Sequence, residues 1–194
     1  VIGTRGWNGQ LSGGRLTSFS SPQWDDGRAD NNGRGLRAGV ALVDITPPLG
    51  TPLTGYVLRE GNSVGVHDPL YARALVLDDG VCQAALIVCD TLALDRRFVT
   101  SARASIQEAT GIPGQNVMIA CTHTHSGPAT IFLHGCGEVD EVWLATLRQR
   151  LVEVSQAALS RLREARVGYR IGRVDMDVQG PTAPGNPVEL DLGV

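Results

Sequence analysis

Two apolar runs joined by Asp79-Gly80 constrain the fold of this 194-residue chain more than any other feature of its sequence. The runs, residues 72–78 and 81–89, have the length of strands and are rich in aliphatic side chains. An Asp-Gly pair supplies the positive φ that a two-residue hairpin turn requires, so the segment predicts a β-hairpin. The second run is apolar on both faces towards its end, which indicates a central, buried strand.

The rest of the chain alternates between strand-like and helical patterns. Asp95 can cap a helix and Gly111 can end it. We predict further strands at residues 38–46, 116–121, 166–178 and 190–194, and helices at residues 95–109 and 140–165. Strands that alternate with helices after an opening hairpin indicate an α/β fold, with a layered mixed β-sheet and packed helices.

The first 36 residues differ from the rest of the chain. They contain 8 Gly and show neither a helical nor an alternating apolar pattern. We expect residues 1–36 to be a disordered Gly-rich leader and residues 37–194 to form the ordered domain. All 17 basic residues are Arg, which excludes a phosphate-binding loop of the Gly-x-x-x-x-Gly-Lys-Ser/Thr type.

Charge and hydropathy limit the possible partners. A net charge of −3, with Arg spread along the chain, provides no basic surface for a phosphate backbone, so we expect no nucleic-acid partner. No run approaches the roughly 18 consecutive apolar residues of a membrane span, and no signal peptide is visible. Four irregularly spaced cysteines indicate buried thiols rather than a disulfide framework.

A pair of histidines follows the strand predicted at residues 116–121. His123 and His125 are one residue apart, so if the strand continues their side chains point to the same side, with Cα atoms about 6 to 7 Å apart. Such strand-to-loop junctions are where α/β sheets place ligands. Neutral imidazole binds Zn²⁺ well, and a catalytic zinc typically has three protein ligands and an open position for water. The pair therefore predicts half of a metal or substrate site.

Three other interpretations of this segment stay open. The two histidines can be ordinary polar loop residues. A structural zinc site is the second interpretation, with the ligands Cys121, His123, His125 and Cys136; that spacing resembles no standard zinc-finger pattern. Ser126 as an activated nucleophile is the third, although its surroundings are not a Gly-x-Ser-x-Gly elbow.

Further polar candidates lie at strand ends and in a long loop. Asp90 follows the central strand as Asp44 follows the first, and carboxylates there can act as general bases or orient a metal-bound His. Arg59 and His67 belong to the irregular segment 49–69, where an Arg can clamp a polar substrate group. Asp90 is thus a candidate catalytic residue, and Arg59 and His67 are candidate substrate-binding residues; loop capping and solvation are the alternatives.

Four segments, in this order, resemble the N-terminal catalytic domain of the neutral/alkaline non-lysosomal ceramidase family. They are residues 38–48 (AGVALVDITPP), 66–77 (VHDPLYARALVL), 87–90 (IVCD) and 116–128 (NVMIACTHTHSGP). The Thr-His-Thr-His-Ser-Gly-Pro string is the most specific part, and the opening Asp-Ile-Thr-Pro run supports it. The resemblance extends from about Leu36 to the C-terminus, and it implies that residues 37–194 are the N-terminal part of such a catalytic domain.

The resemblance implies a zinc-dependent amidase that hydrolyses the N-acyl bond of ceramide to sphingosine and a fatty acid. By the same resemblance His123 is a zinc ligand, and His125 is a neighbouring catalytic residue that assists the attack or stabilises the intermediate. The implied partners are a sphingolipid or another N-acyl amide, with membrane-surface contact through the substrate. The implied location is secreted or extracytoplasmic.

Two departures from the family pattern modify this expectation. The family's remaining zinc ligands, another His followed by Glu and Tyr, lie downstream of this segment, so we expect the segment alone to be weakly active or inactive. The family also carries an Asn-Arg-Ser or Asn-Arg-Arg string where residues 177–181 stand here, with the neutral Gln179 near the Arg position. A non-catalytic binding module, or a zinc hydrolase of the same fold that acts on another amide or ester, are the alternatives.

Overall fold

The computed structural model of the chain describes residues 35–57, 61–168, 171–173 and 191–193. These residues divide into two compact units. The larger unit holds the described residues up to Ala165, and the smaller unit begins at Arg166.

A five-stranded mixed sheet forms the centre of the larger unit. Its strands are β1 (Arg37–Asp44), β2 (Tyr71–Asp78), β3 (Gln83–Cys89), β4 (Val117–Cys121) and β5 (Arg163–Glu164), in the order β4-β3-β2-β1-β5. The first three strands are antiparallel neighbours, β5 pairs antiparallel with the start of β1, and β4 is parallel to β3. The connection from β3 to β4 therefore crosses over through a helix.

Two helices lie on one face of this sheet. Helix α1 (Arg96–Thr110) begins at the Asp95 cap, whose carboxylate accepts the Phe98 N–H, and it ends at Gly111 with a φ of +78°. Helix α2 (Glu141–Leu159) begins in the same way, with the Asp140 carboxylate accepting the Trp143 N–H. Such caps satisfy N–H groups that have no partner within the helix, and each contributes about 1 kcal/mol.

The core lies between the helices and the alternate strand residues that face them. Helix α2 packs on β1 and β2, and α1 packs on α2. The buried side chains include Ala74, Val76, Ile87, Ile106, Leu147 and Leu151. A Cβ at Gly39 would lie only 2.0 Å from the Ala158 carbonyl oxygen, so β1 can approach the end of α2 this closely only with glycine.

The predicted fold class and most predicted elements are confirmed. The sheet is mixed and the helices are layered on it, as the strand and helix order indicates. The smaller unit contains a two-stranded antiparallel pair, β6 (Ile171–Arg173) and β7 (Asp191–Gly193), within the two C-terminal segments predicted as strands. The expected leader, apart from Gly35 and Leu36, lies outside the described residues, so its disorder stays a prediction.

Two predicted boundaries are wrong. The hairpin loop has four residues, 79–82, because the Asp79 carboxylate accepts the N–H groups of both Val81 and Cys82 and holds them out of the ladder. Helix α2 ends at Leu159, six residues early. There the N–H groups of Arg161 and Leu162 bond to carbonyls three residues back, and the chain then pairs with β1 as β5.

No helix in the part of the chain that the structure describes is long and apolar enough to cross a membrane.

Candidate functional site

Parallel pairing of β3 and β4 brings two loops to one edge of the sheet. Cys89 and Cys121, the last residues of these strands, are direct partners in the ladder. The loop after β3 and the histidine loop after β4 consequently leave the sheet side by side. Backbone bonds join them, from Thr122 N–H to the Cys89 carbonyl and from His123 N–H to the Thr91 carbonyl.

The backbone at His123 leaves the strand conformation. Strand β4 ends at Cys121, and His123 has a φ of +61°, which no other non-glycine residue in the described ranges shows. This region is uncommon for a residue with a side chain, and such residues concentrate at functional sites. The strand therefore does not continue through the two histidines, so the condition for the same-side strand geometry is not met. A left-handed turn places the imidazoles instead.

The orientation of the His123 ring is set by the loop after β3. Its Nδ1 lies 2.9 Å from the Leu92 carbonyl oxygen. A carbonyl oxygen only accepts hydrogen bonds, so Nδ1 carries the proton and the neutral ring has its lone pair on Nε2. The His123 side chain is exposed, so its Nε2 is accessible to a ligand.

The His125 ring is held in the same way from the other side. Its Nδ1 lies 2.7 Å from the carbonyl oxygen of Gly55, 70 residues earlier in the chain. Gly55 has a φ of +101°, and a Cβ there would lie 2.6 to 2.8 Å from the Cα, Cβ and Cγ atoms of His125. Only glycine permits both the backbone conformation and this approach.

The two imidazoles and a tyrosine form a compact aromatic group. The ring centroids of His123 and His125 are 4.9 Å apart with the planes at 77°, and the Tyr56 ring lies 5.6 Å from His125 at 65°. Edge-to-face contacts of this kind are a favoured arrangement of aromatic rings. The two histidines are thus brought together, as predicted, with their Nδ1 atoms bound to carbonyls of different loops.

The loops that carry these carbonyls are themselves anchored. The Thr130 hydroxyl donates to the Ala93 carbonyl next to Leu92. Thr54 N–H donates to the Gly127 carbonyl, and Ala129 N–H donates to the Pro52 carbonyl. Backbone hydrogen bonds in both directions therefore join the segment around Gly55 to the segment after His125, and they form an isolated antiparallel β-bridge between Leu53 and Pro128. This support gives the pair a defined geometry.

The chemistry of the histidine pair fits part of a zinc site. Histidines that bind zinc usually donate their other ring N–H to a carbonyl or carboxylate, and both rings here have that arrangement. Within residues 35–57 and 61–168, no three His, Cys, Asp or Glu side chains form a group able to hold a metal ion. The described residues thus offer part of a ligand set, and the four-ligand set with Cys121 and Cys136 is not assembled.

The thiols beside this site favour their protonated form. Burial, with smaller contributions from the neighbouring Cys121 and Asp90, raises the pKa of Cys89 to about 12. Burial also raises the pKa of Cys121, against the Thr91 hydroxyl that donates to its sulfur. Nucleophilic attack requires a thiolate, so neither thiol is activated as a nucleophile here.

Asp90 lies at the end of β3 and bridges two strands. Its carboxylate accepts the Tyr71 N–H at 3.0 Å and pairs with the Arg73 guanidinium at 2.9 Å. The guanidinium carbon also lies 5.5 Å from the centroid of the Tyr71 ring. These contacts tie the start of β2 to the end of β3, and a catalytic role for Asp90 stays a prediction.

The recorded contacts of the other described candidates, His67 and Ser126, are local. His67 is exposed and its Nδ1 bonds to the neighbouring Asp68 carboxylate at 2.9 Å. Arg59 lies outside the described residues. Ser126 is exposed, and its N–H donates to the Thr124 hydroxyl. Substrate binding by His67 and Arg59 stays a prediction.

Sequence reasoning missed three groups that hold the two histidines: the Gly55 carbonyl, the Tyr56 ring and the Leu92 carbonyl. Two of the three are backbone atoms, which any residue type supplies. A Gly-Tyr pair in a loop rich in Gly and Pro also carries no signal of a partner 70 residues away.

Comparison with known proteins agrees with this architecture. The sequence matches the family described as neutral/alkaline non-lysosomal ceramidase, N-terminal, over residues 36–161, which is more than half of the chain. A crystal structure of neutral ceramidase from Pseudomonas aeruginosa is 23% identical, with a TM-score of 0.62, over 72% of this chain and 24% of its own. A structure described as ceramidase complexed with C2 is also 23% identical, with a TM-score of 0.63, over 73% and 24%. This chain therefore spans about a quarter of the length of either.

Proposed function

This chain belongs to the neutral/alkaline non-lysosomal ceramidase family, and on that premise we propose that it is part of a longer zinc-dependent amidase. The proposed reaction is hydrolysis of the N-acyl bond of ceramide or a closely related lipid amide. The observation that carries the proposal is the His123–His125 pair, in which both Nδ1 atoms are bound to carbonyls.

In this proposal His123 binds zinc through Nε2. The bond from Nδ1 to the Leu92 carbonyl fixes the required tautomer and prevents rotation of the ring. When bound, zinc lowers the pKa of a water molecule and polarises the scissile carbonyl. The left-handed backbone at His123 sets the direction in which the ring leaves the sheet edge.

In this proposal His125 accepts and donates the protons that the reaction transfers. Because its Nδ1–H is donated to the Gly55 carbonyl, Nε2 is the ring nitrogen that can exchange a proton. Amide hydrolysis needs a group that takes a proton from the attacking water and returns one to the leaving amine. The Gly55 carbonyl also stabilises the imidazolium that forms between these two transfers.

Asp90 supports this arrangement from the neighbouring strand end. It holds the start of β2 and the end of β3 together, directly before the loop whose carbonyls bind His123. Within the proposal Asp90 is a positioning residue. Arg59 and His67 keep their proposed part in substrate binding, because both belong to the long loop that also carries Gly55 and Tyr56.

Exposed apolar side chains at residues 56–57 and 132–133 support a lipid substrate. Val57 is 69% exposed and Phe132 is 78% exposed, and Leu133 and Tyr56 are exposed as well. A Cβ at Gly135 would lie 3.5 Å from Val57 Cγ1, so the two loops that carry these residues meet. An acyl chain or a membrane surface is the partner that such an apolar rim favours.

A second candidate is a zinc hydrolase of this fold that acts on a different amide or ester. The observation that favours it is Gln179, which stands near the position of a substrate-contacting Arg in the resembling family. A neutral amide cannot replace a cation in binding an anionic or strongly polar group. Residue 179 lies outside the described residues, so sequence alone supports this candidate.

The deciding experiment compares two His→Ala variants of the protein encoded by the complete reading frame. His123→Ala removes the proposed ligand, and His134→Ala removes an exposed loop histidine as the matched control. Bound zinc is measured by elemental mass spectrometry after dialysis, and hydrolysis is measured with an N-acyl sphingosine. We expect His134→Ala to keep zinc and activity, and His123→Ala to lose zinc and about 100-fold or more in rate.

The other outcomes are equally informative. Full zinc and full activity in His123→Ala would contradict the proposal and favour a non-catalytic module. Zinc-dependent hydrolysis of a simple ester, with none of an N-acyl sphingosine, would favour the second candidate. The 194-residue segment alone should bind zinc weakly, because its described part assembles no three-residue ligand group.

A further inference from the structure

Two cysteines end the parallel strands that lead into the candidate site. Cys89 is the last residue of β3, Cys121 is the last residue of β4, and the two are direct partners in the ladder. We propose that Cys89 and Cys121 form a redox-sensitive pair, which peroxide converts to a disulfide that the native strands accommodate. This inference requires neither zinc nor amide hydrolysis, so it goes beyond the proposed function.

The ladder brings the two cysteine side chains close together. Neighbouring strands lie about 4.8 Å apart, and a disulfide joins residues whose Cα atoms are about 4.4 to 6.8 Å apart. Two positions earlier in the same strands, Ile87 and Ile119 are partners, and both pack in the core. Side chains two residues apart in a strand share a face, so Cys89 and Cys121 point to that side as well. Both the spacing and the direction therefore suit a disulfide.

A buried hydroxyl holds the Cys121 side chain beside the end of β3. The Thr91 Oγ1 donates to the Cys121 Sγ at 3.2 Å, and the Thr91 N–H donates to the Cys89 carbonyl. Thr91 is completely buried. The Cys121 sulfur thus lies next to the chain segment that carries Cys89, which is the position that the proposed bond requires.

The exposed cysteine of the hairpin loop is too far away to compete within the same chain. Cys82 immediately precedes β3, whereas Cys89 ends it. A strand rises about 3.3 Å per residue, so about 20 Å separate the two ends of this seven-residue strand. Cys82 therefore serves as an internal reference for an accessible thiol that has no partner in the ladder.

Exposure determines the order in which the two thiols react. Cys121 is partly buried and Cys89 is completely buried, so peroxide reaches Cys121 first. Both thiols favour their protonated form, and peroxide reacts with the thiolate. We therefore expect oxidation over hours, rather than within the seconds of a dedicated peroxide sensor.

The oxidation takes two steps. The Cys121 sulfur attacks a peroxide oxygen, an S–O bond forms as the O–O bond breaks, and the departing hydroxide takes the thiol proton to give water. The Cys89 sulfur then attacks the Cys121 sulfur, an S–S bond forms as the S–O bond breaks, and the hydroxyl leaves with the Cys89 proton as a second water. The two thiols lose two electrons and two protons, and one peroxide is reduced to two waters.

The disulfide should stabilise the loops of the candidate site where they leave the sheet. The Thr122 N–H donates to the Cys89 carbonyl, and the His123 N–H donates to the Thr91 carbonyl. A bond between Cys89 and Cys121 closes the chain between them into a covalent loop, which restricts the unfolded state more than the folded state. Local opening at the ends of β3 and β4 should therefore become rarer on oxidation.

The test uses the protein encoded by the complete reading frame and carrying Cys82→Ser. This substitution leaves Cys89 as the only cysteine between Arg73 and Arg97, so trypsin isolates it in one peptide. Reduced protein is treated with hydrogen peroxide for several hours, and the remaining thiols are blocked with N-ethylmaleimide in urea. Peptide mass spectrometry without reduction then maps the disulfides. The matched control is Cys82→Ser with Cys121→Ser, and hydrogen exchange of residues 117–125 is measured on both proteins before and after oxidation.

We expect about half of the molecules or more to contain the Cys89–Cys121 bond, which dithiothreitol should remove. Amide exchange in residues 117–125 should become about 3-fold slower or more on oxidation, with no change in the control. Two free thiols after the treatment, or Cys121 oxidised to the sulfinic acid without the bond, would overturn the proposal. A bond from Cys89 to another cysteine would also overturn it. Unchanged or faster exchange in the bonded protein would show that the native strands do not accommodate the disulfide.

The protein without substitutions is mapped in parallel, by fragmentation of its linked peptides, so a misfolded variant leaves the test decisive. The outcomes are also independent of the enzymatic proposal. The bond in a protein that has neither zinc nor amidase activity would support the cysteine pair and contradict the proposed function. An active zinc enzyme in which peroxide forms no such bond would do the reverse.

Discussion

The imidazole of His123 lies edge-on to that of His125, with 4.9 Å between the ring centroids and 77° between the planes. Each ring is bound through Nδ1 to a backbone carbonyl, one from the loop after β3 and one from the long loop before β2. Three chain segments therefore meet at two side chains. The predictions below test that junction and the sheet that supports it.

Gly55→Ala should disrupt the junction more than the same change elsewhere. The new Cβ would lie within 2.8 Å of His125 atoms, and alanine also disfavours a φ of +101°. Gly50→Ala is the matched control, since Gly50 has a φ of +87° but a methyl group there would meet no atom within 4 Å. Urea denaturation should show a loss of about 1 kcal/mol for Gly50→Ala and about 2–4 kcal/mol for Gly55→Ala. Equal losses would show that His125 does not depend on this contact.

Asp90→Ala should lower the free energy of unfolding, because it removes the contacts that hold the start of β2 to the end of β3. The change leaves the Tyr71 N–H and the Arg73 guanidinium without their acceptor, which costs about 1–3 kcal/mol in urea denaturation. Arg73→Gln removes only the half-exposed partner and should cost less than about 1 kcal/mol. Asp90→Asn keeps an oxygen that can accept the Tyr71 N–H, so this variant separates a positioning role of Asp90 from a catalytic one. Near-complete loss of hydrolysis in a fully stable Asp90→Asn protein would contradict the positioning role and establish a catalytic one.

The free energy of unfolding should fall in acid, because Asp78 becomes protonated. Its pKa lies below the ordinary 3.8 because the Gln83 side chain, the Gly80 N–H and the Arg37 guanidinium all bond to the carboxylate, against the opposing effect of burial. A lowered pKa in the folded state gives a stabilisation that is complete above the unfolded value and is lost as the pH falls through the folded value.

The measurement for Asp78 is a comparison of urea denaturation at pH 7 and at pH 3 or below. The difference between wild type and Asp78→Asn should be largest at pH 7 and should shrink in acid. Glu138→Gln, a substitution in an exposed loop, serves as the control for the general effect of acid. A difference for Asp78→Asn that is independent of pH would contradict the assignment.

The cysteines should react in the order of their exposure. Cys82 is exposed, whereas Cys89 is buried with a pKa raised to about 12, so it has almost no thiolate at pH 8. Iodoacetamide at pH 8 should therefore modify Cys82 within minutes and leave Cys89 unmodified until urea unfolds the sheet. Peptide mass spectrometry distinguishes the sites. Comparable early modification of both cysteines would contradict the burial of β3.

Local signals in the sequence were sufficient for the elements of the fold. Apolar alternation, the Asp95 cap and the Gly111 stop describe interactions within a few residues, and the helix and strands that they predict are present. The error in the hairpin loop arose locally, because the Asp79 carboxylate accepts N–H groups two and three residues later. The error in α2 arose where a distant group competes for the chain. Helix α2 ends early because the edge of β1 offers hydrogen bonds to residues 163–164, a partner more than 100 positions away.

The sequence by itself determined the layered mixed sheet, the family and the two histidines that follow β4, because residue type and local periodicity carry that information. Only the tertiary structure decided how the histidines are used. The left-handed turn at His123, the glycine that admits His125 and the two carbonyls that fix the tautomers depend on contacts of up to 70 residues in separation. Backbone carbonyls are common to all residues, so no sequence pattern can indicate which of them binds a ring. The folded chain makes that selection by bringing three loops to one edge of the sheet.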